Sequence, residues 1–228
     1  MSLSGVCPVQ CGFGEAMFFS AIVFDFDGVI VESTDVKTSA FYELALPWGE
    51  VAAKQMREYH LAHFGVSRFI KFEWFFRNIL GKNITPGENQ ALSEQFAALC
   101  LEKILDAPMV PGFTDVISLA YGHCPLYVAS ASPQPELEQV LEKRDLSKFF
   151  KAIYGFPPKK SESLQRIVDG LQLDPTTVLM VGDSPWDLAA AEEVGTNFYG
   201  RGKQFESSGY PWGEDLRNLA VSLAEKSA

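Results

Sequence analysis

Ala21-Ile22-Val23-Phe24-Asp25-Phe26-Asp27-Gly28-Val29-Ile30 is the segment on which the architecture turns. The apolar run from Phe18 to Phe24 predicts a strand buried on both faces. Two aspartates fall where that strand should end, and a glycine follows. A lone carboxylate is costly to bury, so acids at the tip of a core strand imply a metal, a partner or a ligand. In an open parallel sheet, ligands gather at the carboxyl ends of the strands. If extended geometry persists to residue 27, Asp25 and Asp27 project to the same side. An ordinary strand followed by an Asp-Gly turn would leave the same letters, so the other strand ends must decide between the two.

Further along the chain, Val181-Gly182-Asp183-Ser184-Pro185-Trp186-Asp187 repeats the pattern of an apolar strand ending in an acid. Asp183 at the strand tip and Asp187 one helical turn later can converge on one cation. Hard divalent cations such as Mg2+ prefer such oxygen ligands. Acids near a helix N-terminus also arise without a metal, because they favour its dipole. Between these stretches, Val128-Ala129-Ser130-Ala131-Ser132-Pro133 is a third strand that ends in hydroxyls, and Ser-x-Ser-Pro is also an ordinary helix start. Pro158-Lys159-Lys160-Ser161-Glu162 sets two lysines before a further helix.

Composition narrows the classes. The chain has 228 residues, 47% hydrophobic and 21% charged, enough for one large domain or a core with an insertion. A formal net charge of −10 argues against a general nucleic-acid surface. No apolar run is long enough to cross a bilayer, so no membrane partner is expected. Cys7, Cys11, Cys100 and Cys124 lack zinc-ribbon spacing. A reduced, cytoplasmic enzyme is the plain reading, with a disulfide in the leader left open. Residues 1–16 show no basic segment followed by an apolar stretch and are read as a leader outside the functional argument.

Helical patterns cover Thr34–Leu46, Val51–Phe64, Ser67–Leu80 and Glu88–Leu105, with no strand between them. Strands are then predicted at Pro125–Ala129, Ala152–Tyr154, Val178–Val181 and Asn197–Tyr199, alternating with helices. This alternation predicts an α/β fold, a Rossmann-like parallel sheet with right-handed crossovers. The expected division is a core of residues 17–33 and 108–228 and an all-helical cap of residues 34–107.

The Asp25-Phe26-Asp27-Gly28-Val29-Ile30 stretch resembles the first motif of the haloacid dehalogenase superfamily, Asp-x-Asp-Gly-x-(Ile/Leu). Gly182-Asp183-Ser184-Pro185-Trp186-Asp187 resembles its fourth motif, and the Ser130 and Lys160 stretches resemble its second and third. Four motifs in order, over roughly residues 18 to 200, make the match specific. The resemblance implies that Asp25 is the nucleophile of phosphoryl transfer and Asp27 the general acid/base. It implies that Ser130 holds a phosphate oxygen, with Ser132 the neighbouring choice. Lys160 is favoured over Lys159 as the motif-three lysine, and Ala131 is expected beside the phosphate. It further implies a magnesium ion held by Asp25, Asp183, Asp187 and the backbone carbonyl of Asp27. To be protonated near neutral pH, Asp27 must be raised far above the carboxylate range, at a cost of roughly 4 kcal/mol.

The helical insertion resembles the cap of the branch that includes phosphoglycolate phosphatases and β-phosphoglucomutases. Gly65-Val66-Ser67-Arg68 resembles a cap segment of the mutases, in which the arginine holds a second phosphate. Arg68 and Lys71 share a helix face and are the expected substrate-binding cations of the cap. Two residues depart from the mutase pattern. Lys37 stands where mutases have a histidine, and Gly182 where they have an acid. The expected activity is therefore hydrolysis of a small phosphorylated metabolite by a monomer or homodimer. A sugar-phosphate mutase and a non-catalytic phosphate-binding module are the alternatives.

Overall fold

A computed structural model describes residues 19–227, so the leader with Cys7 and Cys11, and the predicted strand start at Phe18, lie outside the described residues. The chain enters β1 (Ala21–Phe24), four consecutive residues without exposed surface. Ser20, just before it, bonds to the carbonyl of Thr177 as a lead-in to the ladder. Then come α1 (Thr34–Ala45), α2 (Glu50–Ala62), α3 (Arg68–Asn78) and α4 (Pro86–Asp106), with no named strand among them. The chain continues through α5 (Phe113–Ala120), β2 (Leu126–Pro133), α6 (Gln134–Lys143), β3 (Ala152–Phe156) and α7 (Lys160–Leu171). It ends with β4 (Val178–Gly182), α8 (Pro185–Val194), β5 (Asn197–Arg201), β6 (Trp212–Gly213) and α9 (Arg217–Ser227).

Among the described residues, six strands form one parallel sheet in the order β3-β2-β1-β4-β5-β6. The first strand is therefore central, and its register pairs Phe24 with Val128 on one side and Val181 on the other. The strand order reverses between β1 and β4, which is the switch point where such sheets bind ligands. Side chains alternate along β1, so Ala21 and Val23 pack under α7 and α8 while Ile22 and Phe24 face α5 and α6.

Local chemistry sets the helix ends. At α8, Ser184 caps the helix, Pro185 opens it, and Gly195 closes it with a left-handed φ of 84°. At α4, Thr85 and Glu88 form a reciprocal capping box. The apolar face of the helical segment joins the same core as the sheet. Phe41 of α1 lies 4.4 Å from Phe96 of α4 and 5.6 Å from Phe72 of α3, centroid to centroid. Phe72, Phe75 and Phe76 are buried at a helical spacing, while Trp74 stacks on Tyr59. Cys100 and Cys124 carry free thiols, and no helix among the described residues is long and apolar enough to cross a membrane.

Candidate active site

The carboxyl ends of β1, β2 and β4 lie side by side. Asp25 continues β1, donating its amide to the carbonyl of Val181, and is almost fully buried. One carboxylate oxygen accepts from the amide of Phe26 at 2.7 Å, and the other meets the Lys160 ammonium at 2.8 Å. Lys160 is the first residue of α7 and also bonds to Asp187. Lys159, just outside the helix, is exposed. Asp187 has no exposed surface, and its second oxygen accepts from the amide and the hydroxyl of Ser184 at 3.0 and 2.6 Å.

Oxygens of Asp25, Asp183 and Asp187 lie within 4.8 Å of one another. Acids held this close are difficult to ionise together. Burial pushes the Asp25 carboxyl up to about 7; Lys160 opposes this, and Asp187 and Asp27 add repulsion. Burial, reinforced by Asp25 and Asp187, raises Asp183 well above its ordinary value. Lys160 moves upward: burial disfavours its charge, but Asp187 and Asp25 outweigh that cost.

Asp27 behaves otherwise than expected. It accepts hydrogen bonds from Ser33 Oγ at 2.6 Å, from Ser132 Oγ at 3.1 Å and from the ammonium of Lys37, which also reaches Ser132 at 2.7 Å. Burial alone would raise the Asp27 carboxyl, but Lys37 and the two hydroxyls overcome it and hold the group below the usual carboxylate range. Ser33 sits at the N-cap of α1 yet makes no side-chain cap, because its hydroxyl is committed to Asp27.

Gly28 turns the chain with φ of 72°, and a Cβ there would collide with the Asp183 carboxylate and lie 2.9 Å from Thr34 Oγ1. Arg201, at the end of β5, braces this turn by donating to the Gly28 carbonyl at 2.9 Å and pairing with Glu32 at 2.7 Å. Gly182 is equally confined, since a Cβ there would sit 2.6 Å from Asp187 Cγ. An acid at that position has no room beside this capping box.

From the helical segment, Arg68 and Lys71 both turn inward and are buried. Arg68 pairs with Glu136 of α6 and donates to the Ser93 carbonyl at 2.9 Å. Lys71 meets His60 Nδ1 at 2.8 Å and lies 5.2 Å from the centre of the Phe41 ring. It has no carboxylate partner among the described residues. Burial, with Lys37 adding repulsion, lowers the Lys71 amine to about 7 and the His60 ring to about 2, where Lys71 also contributes.

Two cavities adjoin the acids. One of about 60 Å³ lies over Asp25 and is bounded by Asp27, Lys37, Lys71, Ser130 and Asp183. That is space for roughly four or five water-sized groups, which suits a phosphoryl group. A second, of about 590 Å³, opens between α2, α3, α7 and α8. The two share Gly65, Val66, Ser130 and Ala131.

The family model described as haloacid dehalogenase-like hydrolase matches residues 19–195. The chain belongs to this family. A phosphoglycolate phosphatase from Synechococcus elongatus is 24% identical over 179 residues, 77% of this chain and 80% of that one. The crystal structure of a β-phosphoglucomutase from Clostridium difficile superposes with a TM-score of 0.72 at 19% identity, over 91% of this chain and 96% of that one. CbbY from Rhodobacter sphaeroides, solved in complex with phosphate, gives 0.68 at 20%, over 88% and 96%.

Within this haloacid dehalogenase-like hydrolase, the predicted residues Asp25, Asp27, Ser130, Ala131, Lys160, Asp183 and Asp187 are brought to one place, and Arg68 and Lys71 reach it from above. Two buried carboxylates and the half-buried Asp183, mutually repelling, are a donor set that fits a hard divalent cation. Lys37, Ser33 and Arg201 are the residues that sequence reasoning passed over. Lys37 stood out only as a departure from the mutase pattern.

Proposed function

We propose that this hydrolase is a magnesium-dependent phosphatase that cleaves small phosphate monoesters through an aspartyl-phosphate on Asp25. One observation carries the reading: the buried Asp25–Lys160–Asp187 chain with Asp183 in reach of the same point. Asp25, Asp183 and Asp187 would hold the ion, with the Asp27 carbonyl as a further ligand. The ion would supply charge neutralisation on the phosphoryl oxygens. Residues 34–107 would act as the cap that excludes water over the reacting group.

In the first half-reaction an Asp25 oxygen forms a bond to phosphorus as the ester P–O bond breaks. Lys160 favours the ionised form of that carboxylate and aims it, and Ser130 supports a phosphoryl oxygen. The departing alkoxide takes a proton from Asp27. Lys37 and the two hydroxyls hold Asp27 as a carboxylate. A dianionic phosphate competing for Lys37 would release that hold, so that Asp27 takes up from solvent the proton that it then gives to the alkoxide. In the second half-reaction Asp27, again a carboxylate, takes a proton from water as the water oxygen attacks phosphorus, freeing phosphate and Asp25. Lys71 is the cap cation with no competing carboxylate and would meet the arriving phosphate.

Hydrolysis is favoured over isomerisation by three observations. Lys37 ties Asp27 down, Gly182 has no space for an acid, and Arg68 is already engaged by Glu136 rather than open to a second phosphate. The test is phosphate release from a monoester panel with and without Mg2+, with intact-mass detection of a phosphorylated intermediate. Activity that survives in Asp25→Asn, or that ignores chelation, overturns the proposal.

A further inference from the structure

The larger cavity holds about 590 Å³, against about 60 Å³ over Asp25. A two- or three-carbon alcohol leaving the smaller chamber would occupy little of it. Its walls are mostly rings and small apolar groups, with Lys159, Lys160, Ser161 and Glu193 along the α7–α8 side. Trp74, Tyr59 and His63 form a stacked column, with centroids 3.6 and 4.0 Å apart, and Tyr59 and His63 reach the cavity. Trp186, nearly half exposed, and Phe156 line it from the core side, and Ile70 is exposed on the opposite helix. Ser67 adds a buried hydroxyl whose oxygen has no hydrogen-bond partner among the described residues. An unpaired buried hydroxyl is costly unless a ligand satisfies it.

Resting on the phosphatase reading, we propose that this cavity is the leaving-group pocket and that the substrate is a phosphate monoester of an alcohol bearing an aromatic or heteroaromatic ring. The ring lies between the Tyr59–His63 column and Trp186, where flat groups stack favourably. A polar substituent on it meets the Ser67 hydroxyl. The shared residues Gly65, Val66, Ser130 and Ala131 make the passage from ring to phosphate. The cavity thereby selects against short acids and polyols, which cannot cover its apolar walls.

The test is a ladder of alkyl-type esters, namely glycerol 3-phosphate, benzyl phosphate and 2-naphthylmethyl phosphate, assayed with Mg2+ on the full chain. The expected result is a kcat/KM that rises at least about tenfold from the first to the last. Two wall residues supply the variants, Ala189→Trp to fill the cavity and Ile70→Asp to charge it. Both should collapse the naphthylmethyl-to-glycerol ratio toward one while far-ultraviolet circular dichroism stays that of the wild type. A flat ladder, or a ratio unchanged in both folded variants, overturns the pocket assignment and leaves the phosphatase reading standing. If no ester is cleaved, the phosphatase reading fails by itself. Titration with the non-hydrolysable 2-naphthylmethylphosphonate then decides the pocket: binding that Ala189→Trp abolishes supports it, and no binding overturns it.

Discussion

Replacing Lys71 by methionine should uncouple stability from phosphate recognition, and the pH dependence should reveal it. Lys71 is 2% exposed and faces His60, Phe41, Lys37, Asp27 and Lys160, with no carboxylate in contact. Its amine falls from 10.5 to about 7, a difference worth roughly 5 kcal/mol at most. Above pH 10.5 the amine is neutral in both folded and unfolded chains and carries no penalty. As pH falls toward 7, the unfolded chain takes up a proton that the folded one refuses, and wild-type stability drops by about 1.4 kcal/mol per pH unit. Below 7 the penalty is complete and constant. The thioether of Lys71→Met does not titrate, so the variant should gain on the wild type by that slope. Loss of the partner to His60 Nδ1 shifts the variant curve uniformly, because His60 stays neutral across the range. Urea unfolding of both proteins from pH 7 to 9.5 measures the gap. A phosphate bound beside Lys71 should restore its charge, so at pH 8.5 binding should take up close to one proton more in wild type than in Lys71→Met. Calorimetry in buffers of different ionisation enthalpy reads that number. A stability gap that stays constant over this range, or equal proton uptake in both proteins, refutes the reasoning.

Further outcomes follow from the same geometry. Asp25→Asn should lower turnover by roughly 10⁴-fold or more, while removing one of three repelling acids and so leaving the melting temperature equal or higher; differential scanning fluorimetry beside the phosphate assay checks both. Saturating Mg2+ should stabilise the protein by about 2.7 kcal/mol at a hundredfold excess over Kd, an effect that EDTA reverses in a melting experiment. Arg201→Gln, which releases the Gly28 carbonyl and Glu32, should reduce kcat about tenfold with under about 1 kcal/mol lost in urea unfolding. Gly28→Ala forces a Cβ toward Asp183 in a left-handed turn and should cost about 1–3 kcal/mol together with most Mg2+ affinity, read by unfolding and calorimetry.

The parts of the site legible in the sequence are those whose burial is expensive. Asp25 and Asp183 sit at the tips of apolar strands, where only a ligand or ion rationalises a carboxylate, and both strands form where the apolar runs place them. Lys37 was not legible, because its reach to Asp27 depends on how α1 is rotated over the sheet. Arg201 lies 173 residues from the carbonyl that it braces, a distance no local pattern bridges. In α3, Arg68 and Lys71 occupy the buried face together with Phe72, Phe75 and Phe76, so charge interrupts the apolar stripe at the positions nearest the cavity. Strand β6 has two residues, too few for any alternation to show. The strand expected to end at Ala129 runs on to Pro133 as β2, which carries both hydroxyls through a register shift before α6 begins.

Asp187 answers to two masters. One oxygen fastens the first turn of a helix through Ser184, and the other grips the amine that steers the nucleophile. Scaffold and reactivity are thus welded at a single atom pair, so drift in either is felt by the other. A designer who moved this chemistry onto another sheet would have to transplant the helix opening along with the acids, because the lysine has no independent anchor at that end.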